Sequence, residues 1–239
     1  YKKSKIKGKK IMKNKKIYAF IFARGNSIRL KNKNLQKIEG KTLIEHSINI
    51  AKKVKKISKI FVSSDSKKIL NLAKRNKVNY ILRPKKLCSS NSKEIYSWHH
   101  AINALKKNND NFDIFLSLPP TSPLRLVQDI KSLIKKFENS KSDIIITVSQ
   151  TNRYPFFNMV LLGNKGLVKL AARKRKVNLN KFYEISTIGY ISSPKYILKT
   201  NNYFSGKVGS LIIPRDRAID IDDKFDLKLA KILIKKNEK

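Results

Sequence analysis

Residues 17–23, Ile-Tyr-Ala-Phe-Ile-Phe-Ala, form an unbroken apolar run of strand length, and a polar loop follows at once. A strand that is apolar at every position must be buried on both faces, which is the condition inside a parallel sheet. The same rhythm then repeats. Thr42 is placed to cap a helix that carries Leu43, Ile44, Ser47, Ile48 and Ala51 on one face. Residues 60–62 read as a strand, residues 63–66 open a second helix, and residues 79–82 form a short strand ahead of Arg83-Pro84. A third helix is predicted over 93–106, a buried strand over 112–118, a helix over 127–137 and a strand over 143–149. Such alternation predicts an α/β fold with a parallel, doubly wound sheet and helices on both faces. Beyond Gln150 the rhythm breaks into short mixed segments at 157–162, 167–170 and 186–192, interrupted by Arg173-Lys-Arg-Lys176. These predict β-hairpins or an arm over about 150–192. The sheet is expected to resume at 208–213, and an amphipathic helix to close the domain over 224–235.

Length and composition bound the rest. A chain of 239 residues can bury one sizeable core, expected over 16–237. Residues 1–15 read as a basic, disordered leader, with Met12 as the natural start. No apolar run approaches the roughly 20 residues needed to span a bilayer, and no secretory signal is visible, so the expectation is a soluble cytoplasmic protein without membrane insertion. The single cysteine, Cys88, excludes an internal disulfide and a cysteine-cluster metal site. The formal charge of +39 invites a nucleic-acid reading. However, only 10 of the 55 basic residues are Arg, and the Lys residues are scattered among Asn and Ile. That mixture is what A- and T-rich codons produce, whereas nucleic-acid readers concentrate basic and aromatic groups in a stripe. A basic RNA-binding protein therefore stays as an alternative that charge alone supports. The same field would draw in anionic small molecules.

Three polar segments follow strands, where open α/β sheets bind ligands. The first, residues 23–34, holds Arg24, Gly25, Ser27, Arg29, Lys33 and Asn34. Glycine lets backbone N–H groups approach a phosphate, and the cations supply fixed charge. A solvated basic turn is the plain alternative. The second, residues 118–125, sets Thr121, Ser122 and Arg125 among prolines that stiffen the loop. An ordinary turn capped by Ser122 would look the same. The third holds Asp220, Asp222 and Asp223. Asp220 and Asp222 stand two apart and would project from one face of an extended chain, an arrangement suited to Mg²⁺. The competing role is a helix N-terminus, which Asp223 fits and Asp222 could share.

Together these residues resemble the CMP-sialic acid synthetases, the acylneuraminate cytidylyltransferases. The resemblance rests on Ala-Arg-Gly-x-Ser-x-Arg-x-x-x-Lys-Asn after the first strand, Ser-Ser-Asp-Ser at 63–66 and Leu-Arg-Pro at 82–84. Pro-Thr-Ser-Pro-Leu-Arg at 120–125 and Asp-Ile-Asp at 220–222 complete it, in the family's order. Residues 154–160, 182–187 and 218–222 are similar to the bacterial branch associated with sugar modification of surface structures and flagellin. The resemblance implies a Rossmann-like three-layer α/β/α sheet of nucleotidyltransferase type and a homodimer joined through a small β-rich arm. It also implies Mg²⁺-dependent transfer of CMP from CTP to an acidic nine-carbon sugar. By motif, Arg24, Gly25, Ser27, Lys33 and Asn34 would hold the CTP phosphates and cytidine, and Arg83 would join the nucleotide pocket. Thr121, Ser122 and Arg125 would shape the floor near the sugar, Asp220 and Asp222 would hold Mg²⁺, and Arg173, Arg175 and Tyr183 would reach the sugar across the dimer.

The reaction so implied is attack of the sugar's anomeric hydroxyl on the α-phosphorus of CTP, with Arg24 and Lys33 on the leaving phosphates. The base is left open between Asp220 and a water, because His46, His99 and His100 lie in helical patterns. Two sites depart from the family. Pro119 stands where Gln is common before Pro-Thr-Ser-Pro, and Lys93-Glu94 where a Ser pair is common. Pro offers no side-chain hydrogen bond, so the departure bears on which sugar is accepted. A synthetase for the eight-carbon acid of lipopolysaccharide, and a member that binds nucleotide without catalysis, are the remaining alternatives.

Overall fold

The computed structural model describes residues 15–89, 92–163, 167–173 and 181–237. The leader residues 1–14, Met12 among them, and Arg175 lie outside the described residues. The strands and helices follow in chain order as β1 (Ile17–Phe22), β2 (Lys37–Ile38), β3 (Lys41–Thr42), α1 (Leu43–Lys53), β4 (Ile57–Ser64), α2 (Lys67–Arg75) and β5 (Asn79–Leu82). They continue with α3 (Glu94–Lys107), β6 (Ile114–Ser117), α4 (Val127–Glu138), β7 (Ile144–Gln150), β8 (Val160–Leu162) and β9 (Val168–Leu170). The last are β10 (Tyr183–Ser192), α5 (Pro194–Lys199), β11 (Val208–Ile212) and α6 (Lys224–Asn237). Seven strands form the main sheet in the order β11-β7-β10-β6-β1-β4-β5.

Strand β1 shows why the sheet is covered on both sides. Ile17, Ala19, Ile21 and Ala23 enter one core cluster, with Ile44 and Ile48 of α1, Ile69 of α2 and Leu133 of α4. Tyr18, Phe20 and Phe22 enter the other, with Trp98 and Ile102 of α3. Alternate side chains of one strand thus feed two apolar layers, as a period of two requires. At about 25 cal/mol per Å² of buried apolar surface, each fully buried side chain contributes on the order of 1.5–3 kcal/mol. The expected cap on α1 is present: Thr42 Oγ1 accepts from Glu45 N, and Thr42 N donates to Glu45 Oε2 at 2.8 Å.

The stretch beyond Gln150 divides in two. The expected hairpin forms as β8 against β9. Residues 183–192, by contrast, belong to the main sheet, correcting their placement in the arm. Strand β10 lies between β6 and β7, antiparallel to both. Its inner residues Ile188, Tyr190 and Ile191 are buried on both faces, so a central slot is the only place that covers them. The sheet is therefore mostly parallel with one reversed strand. Helix α5, capped by Ser193 Oγ on Tyr196 N, is short and was not anticipated.

A third, smaller cluster decides the site. Leu30, Ile38 and Leu43 from the first half of the chain pack with Ile221, Leu227 and Ala230. This draws α6, and the acidic segment before it, against the loop that follows β1. Among the described residues no helix is long and apolar enough to cross a membrane.

Candidate active site

At the carboxyl ends of β1, β5 and β6 lies a cleft of about 260 Å³ lined by Arg24, Lys33, Asn34, Arg83, Glu94 and Thr121, among others. Four chain segments far apart in sequence meet here. The loop after β1 is shaped by two contacts. Gly25 N donates to Asp65 Oδ1 at 2.8 Å, and a Cβ at residue 25 would stand 2.8 Å from Ser66 Cβ. Glycine is needed for this close approach to the Ser63-Ser64-Asp65-Ser66 turn, and its N–H serves that turn rather than the cleft. Asn34 is buried and donates from Nδ2 to Arg24 O at 3.0 Å, closing the loop. Ser27 is half-buried on the loop and lies outside the cleft lining.

Lys33 reaches across to the acidic segment, its Nζ 2.9 Å from Asp222 Oδ1, while Arg29 Nη2 lies 2.7 Å from Asp222 Oδ2. Partial burial pushes the Asp222 carboxyl upward, but Lys33 and Arg29 outweigh it and hold it below its ordinary value. Asp220 differs. Its Oδ1 is buried with no hydrogen-bond partner, and burial followed by Asp222 raises its carboxyl above the ordinary range, against the pull of Thr121, Lys33 and Thr187. Asp223 takes the capping role, its Oδ1 accepting from Phe225 N and Asp226 N. The segment is fixed to the proline loop by Ile221 N donating to Thr121 O at 2.9 Å.

Arg125 does not line the cleft. It is buried behind it, and its guanidinium donates to Ile188 O (2.6 Å), Ser47 Oγ (2.9 Å), Pro119 O (2.6 Å) and Thr187 O (3.1 Å). Burial lowers its pKa to about 9, so it stays charged at neutral pH. Its neighbour Ser122 shares a 2.6 Å hydrogen bond with Thr187. Arg83 is buried at the end of β5, donates from Nη1 to Ser97 Oγ at 2.9 Å, and leaves Nε without a partner. Arg173 and Tyr183 are exposed at the end of β9 and the start of β10, and neither lines the cleft. His46 and His99 bond backbone carbonyls through Nε2, as expected of structural histidines.

Thr187 was not foreseen. It enters the cleft because β10 bulges: Ser186 pairs with Thr147, yet Tyr190 pairs with the adjacent Ile146. Thr147 Oγ1 pins the bulge to Ser186 O at 2.8 Å and accepts from Gly189 N at 3.1 Å. The signal in the sequence is Gly189 between the apolar Ile188 and Tyr190, which marks a bulge or a close approach. A Cβ there would stand 2.9 Å from Leu133 Cδ2.

The arrangement is that of a sugar nucleotidyltransferase: a mostly parallel sheet whose strand ends hold cations near a carboxylate with one buried, unpartnered oxygen. Among solved structures, the chain is similar to CMP:2-keto-3-deoxy-manno-octonic acid synthetase in complex with CTP. That likeness has a TM-score of 0.69 at 15% identity, covering 93% of this chain and 99% of the other, and shows the shared fold. The sequence profile of the cytidylyltransferase family matches residues 18–219, and the chain belongs to that family. It is 29% identical over 223 residues to a post-translational flagellin modification protein B of Campylobacter coli, covering 92% of this chain and 95% of that one. It is also 29% identical to a pseudaminic acid cytidylyltransferase of Campylobacter jejuni, covering 90% and 94%.

Proposed function

We propose that the chain transfers CMP from CTP to the anomeric hydroxyl of a sialic-acid-like, nine-carbon sugar acid, releasing pyrophosphate. The observation that carries this reading is the meeting of Arg24, Lys33, Asn34, Arg83 and Thr121 in one cleft, with Asp220, itself outside that lining, in hydrogen-bond reach of Thr121. The named relatives of similar length support the sugar class. In the reaction the sugar oxygen forms a bond to the α-phosphorus while the bond to the β-phosphate oxygen breaks. Arg24 and Lys33 meet the charge that gathers on the departing pyrophosphate. The hydroxyl proton passes to Asp220, whose raised carboxyl suits a base better than an ordinary one. Arg125 acts through the loop carbonyls that it holds, and so positions Thr121 and Thr187 rather than touching substrate.

The donor set fits a magnesium ion. Asp220 offers a buried oxygen without a partner, and Asp222, near enough to raise the Asp220 carboxyl, would exchange contacts with Lys33 or Arg29 for the ion. Among the described residues no group of three or more potential ligands gathers, so such an ion would take its remaining ligands from phosphates and water. Asp220 and Asp222 would hold it, and it would supply charge neutralisation for the phosphates.

The test is pyrophosphate release with CTP against several nine-carbon sugar acids and the eight-carbon acid of lipopolysaccharide. Turnover with the eight-carbon acid alone would replace the proposed acceptor. Lys33→Ala should raise the KM for CTP about 10- to 100-fold, since it removes a charge-assisted contact to phosphate. An unchanged KM would leave Lys33 only as the partner of Asp222.

A homodimer joined through the β8–β9 hairpin completes the proposal. Leu162 is 78% exposed, and Phe157, Val160, Leu161, Leu167 and Val168 are exposed with it. A two-stranded hairpin with apolar residues on both faces is not stable alone in water, and a second copy would cover it. That copy would also bring Arg173 and Tyr183 toward the neighbouring cleft. Leu162→Glu is expected to shift the protein from dimer to monomer in sedimentation. A dimer persisting in that variant would move the interface elsewhere.

A further inference from the structure

Glu94 is the one acidic side chain among the cleft-lining residues, in a wall that otherwise carries Arg24, Lys33 and Arg83. A carboxylate in a site for a triphosphate and a sugar acid repels both of them. Its presence there calls for a part of the ligands that is neutral and donates hydrogen bonds. As the first residue of α3 it also complements the helix dipole, but that role needs no place in the cleft. Trp98, one turn further on, donates from Nε1 to Glu94 Oε1 at 3.2 Å and fixes the carboxyl. Oε2 makes no hydrogen bond among the described residues. Leu87 and Phe22 contribute apolar surface to the same cleft. The Phe22 ring centroid stands 6.5 Å from that of Trp98. A cleft that combines apolar surface with one carboxylate acceptor suits a planar base that carries an N–H donor.

We propose that Glu94 reads the nucleobase, Oε2 accepting a hydrogen bond from the 4-amino group of cytosine, and that this contact separates CTP from UTP. The inference rests on the cytidylyltransferase reading above. Cytosine presents an N–H donor at C4 where uracil presents a carbonyl oxygen. Against Oε2 the first forms a charge-assisted bond, whereas the second sets two acceptors face to face and leaves both unpaired. An N–H donor from the ligand would favour the charged form of Glu94.

Glu94→Gln gives a sign-reversing test. Trp98 Nε1 still needs an acceptor, so the amide oxygen takes the place of Oε1 and the NH₂ group faces the cleft. That donor suits the uracil oxygen and opposes the cytosine amine. Trp98 is the only tryptophan of the chain, so its fluorescence reports binding when the full chain is titrated with CTP and with UTP. The wild type should prefer CTP. In Glu94→Gln the affinity for CTP should fall about 10- to 100-fold, and UTP should bind as well as CTP or better. Glu94→Ala should lose the preference for CTP without gaining UTP. A wild-type ratio of CTP to UTP affinity in both variants would overturn the assignment. So would an unchanged ratio with a raised KM for the sugar, which would move Glu94 to the acceptor side. A wild-type chain that binds neither nucleotide would instead remove the cytidylyltransferase reading itself, which separates the two failures.

Discussion

Asp220→Asn should abolish turnover while leaving the unliganded protein at least as stable as the wild type. Both effects come from one atom. Asp220 Oδ1 is buried without a partner, and burial is the largest cause of its raised carboxyl. An acid whose pKa is higher folded than unfolded binds protons more readily in the folded state. Its contribution to stability therefore falls as pH rises from the ordinary carboxyl value through the raised one, and the cost is complete above it. The amide keeps the shape without the charge and removes that cost. In a chain of this size each 1 kcal/mol recovered raises Tm by about 2–4 °C. Activity should fall about 10³-fold or more, because the charge that would hold a cation and take the hydroxyl proton is gone. Melting scans upward from pH 4 should show the difference between variant and wild type growing with pH and then levelling off above the raised value. A variant that melts well below the wild type at pH 7, or one that turns over normally, would defeat the assignment.

Arg125→Ala should produce the opposite pattern, with a large loss of stability and a loss of activity that follows from it. The guanidinium bonds three backbone carbonyls and Ser47 from a buried position. Removing it leaves those acceptors without donors in the interior, at a cost of about 3–5 kcal/mol. The corresponding drop in Tm is about 6–20 °C. Arg125→Lys should recover little, since one ammonium group cannot reach acceptors spread along the fork of the guanidinium. A Tm within about 2 °C of the wild type for Arg125→Ala would mean that the proline loop and the β10 bulge are held by other contacts.

Much of the architecture was legible beforehand because it is local. The apolar alternation of β1, the Thr42 capping box and the strand starting near Asp143 each follow from neighbouring residues. The same holds for the motif at 23–34, whose Arg24, Lys33 and Asn34 do line the cleft. What was not legible depends on partners distant in sequence. Strand β10 reads as another short mixed segment, and only its slot between β6 and β7 explains why residues 188–191 are buried. Arg125 looks like a substrate-facing cation by motif. It faces the interior because the carbonyls of a bulge 62 and 63 residues away are there to receive it.

The sequence by itself determined the alternating α/β sheet, the two-sided core and the identity of the cation-rich loop, since all are consequences of period and residue type within a few turns of chain. Only the tertiary structure decided how the acidic segment is used. The small cluster of Leu30, Ile38 and Leu43 with Ile221, Leu227 and Ala230 brings Asp222 to Lys33 across 189 residues. Pairing with two cations holds Asp222 low, while burial without a hydrogen-bond partner for Oδ1 raises Asp220. Two carboxylates two residues apart thus take different roles, because a side chain's charge state is set by what surrounds it in space and not by its neighbours along the chain.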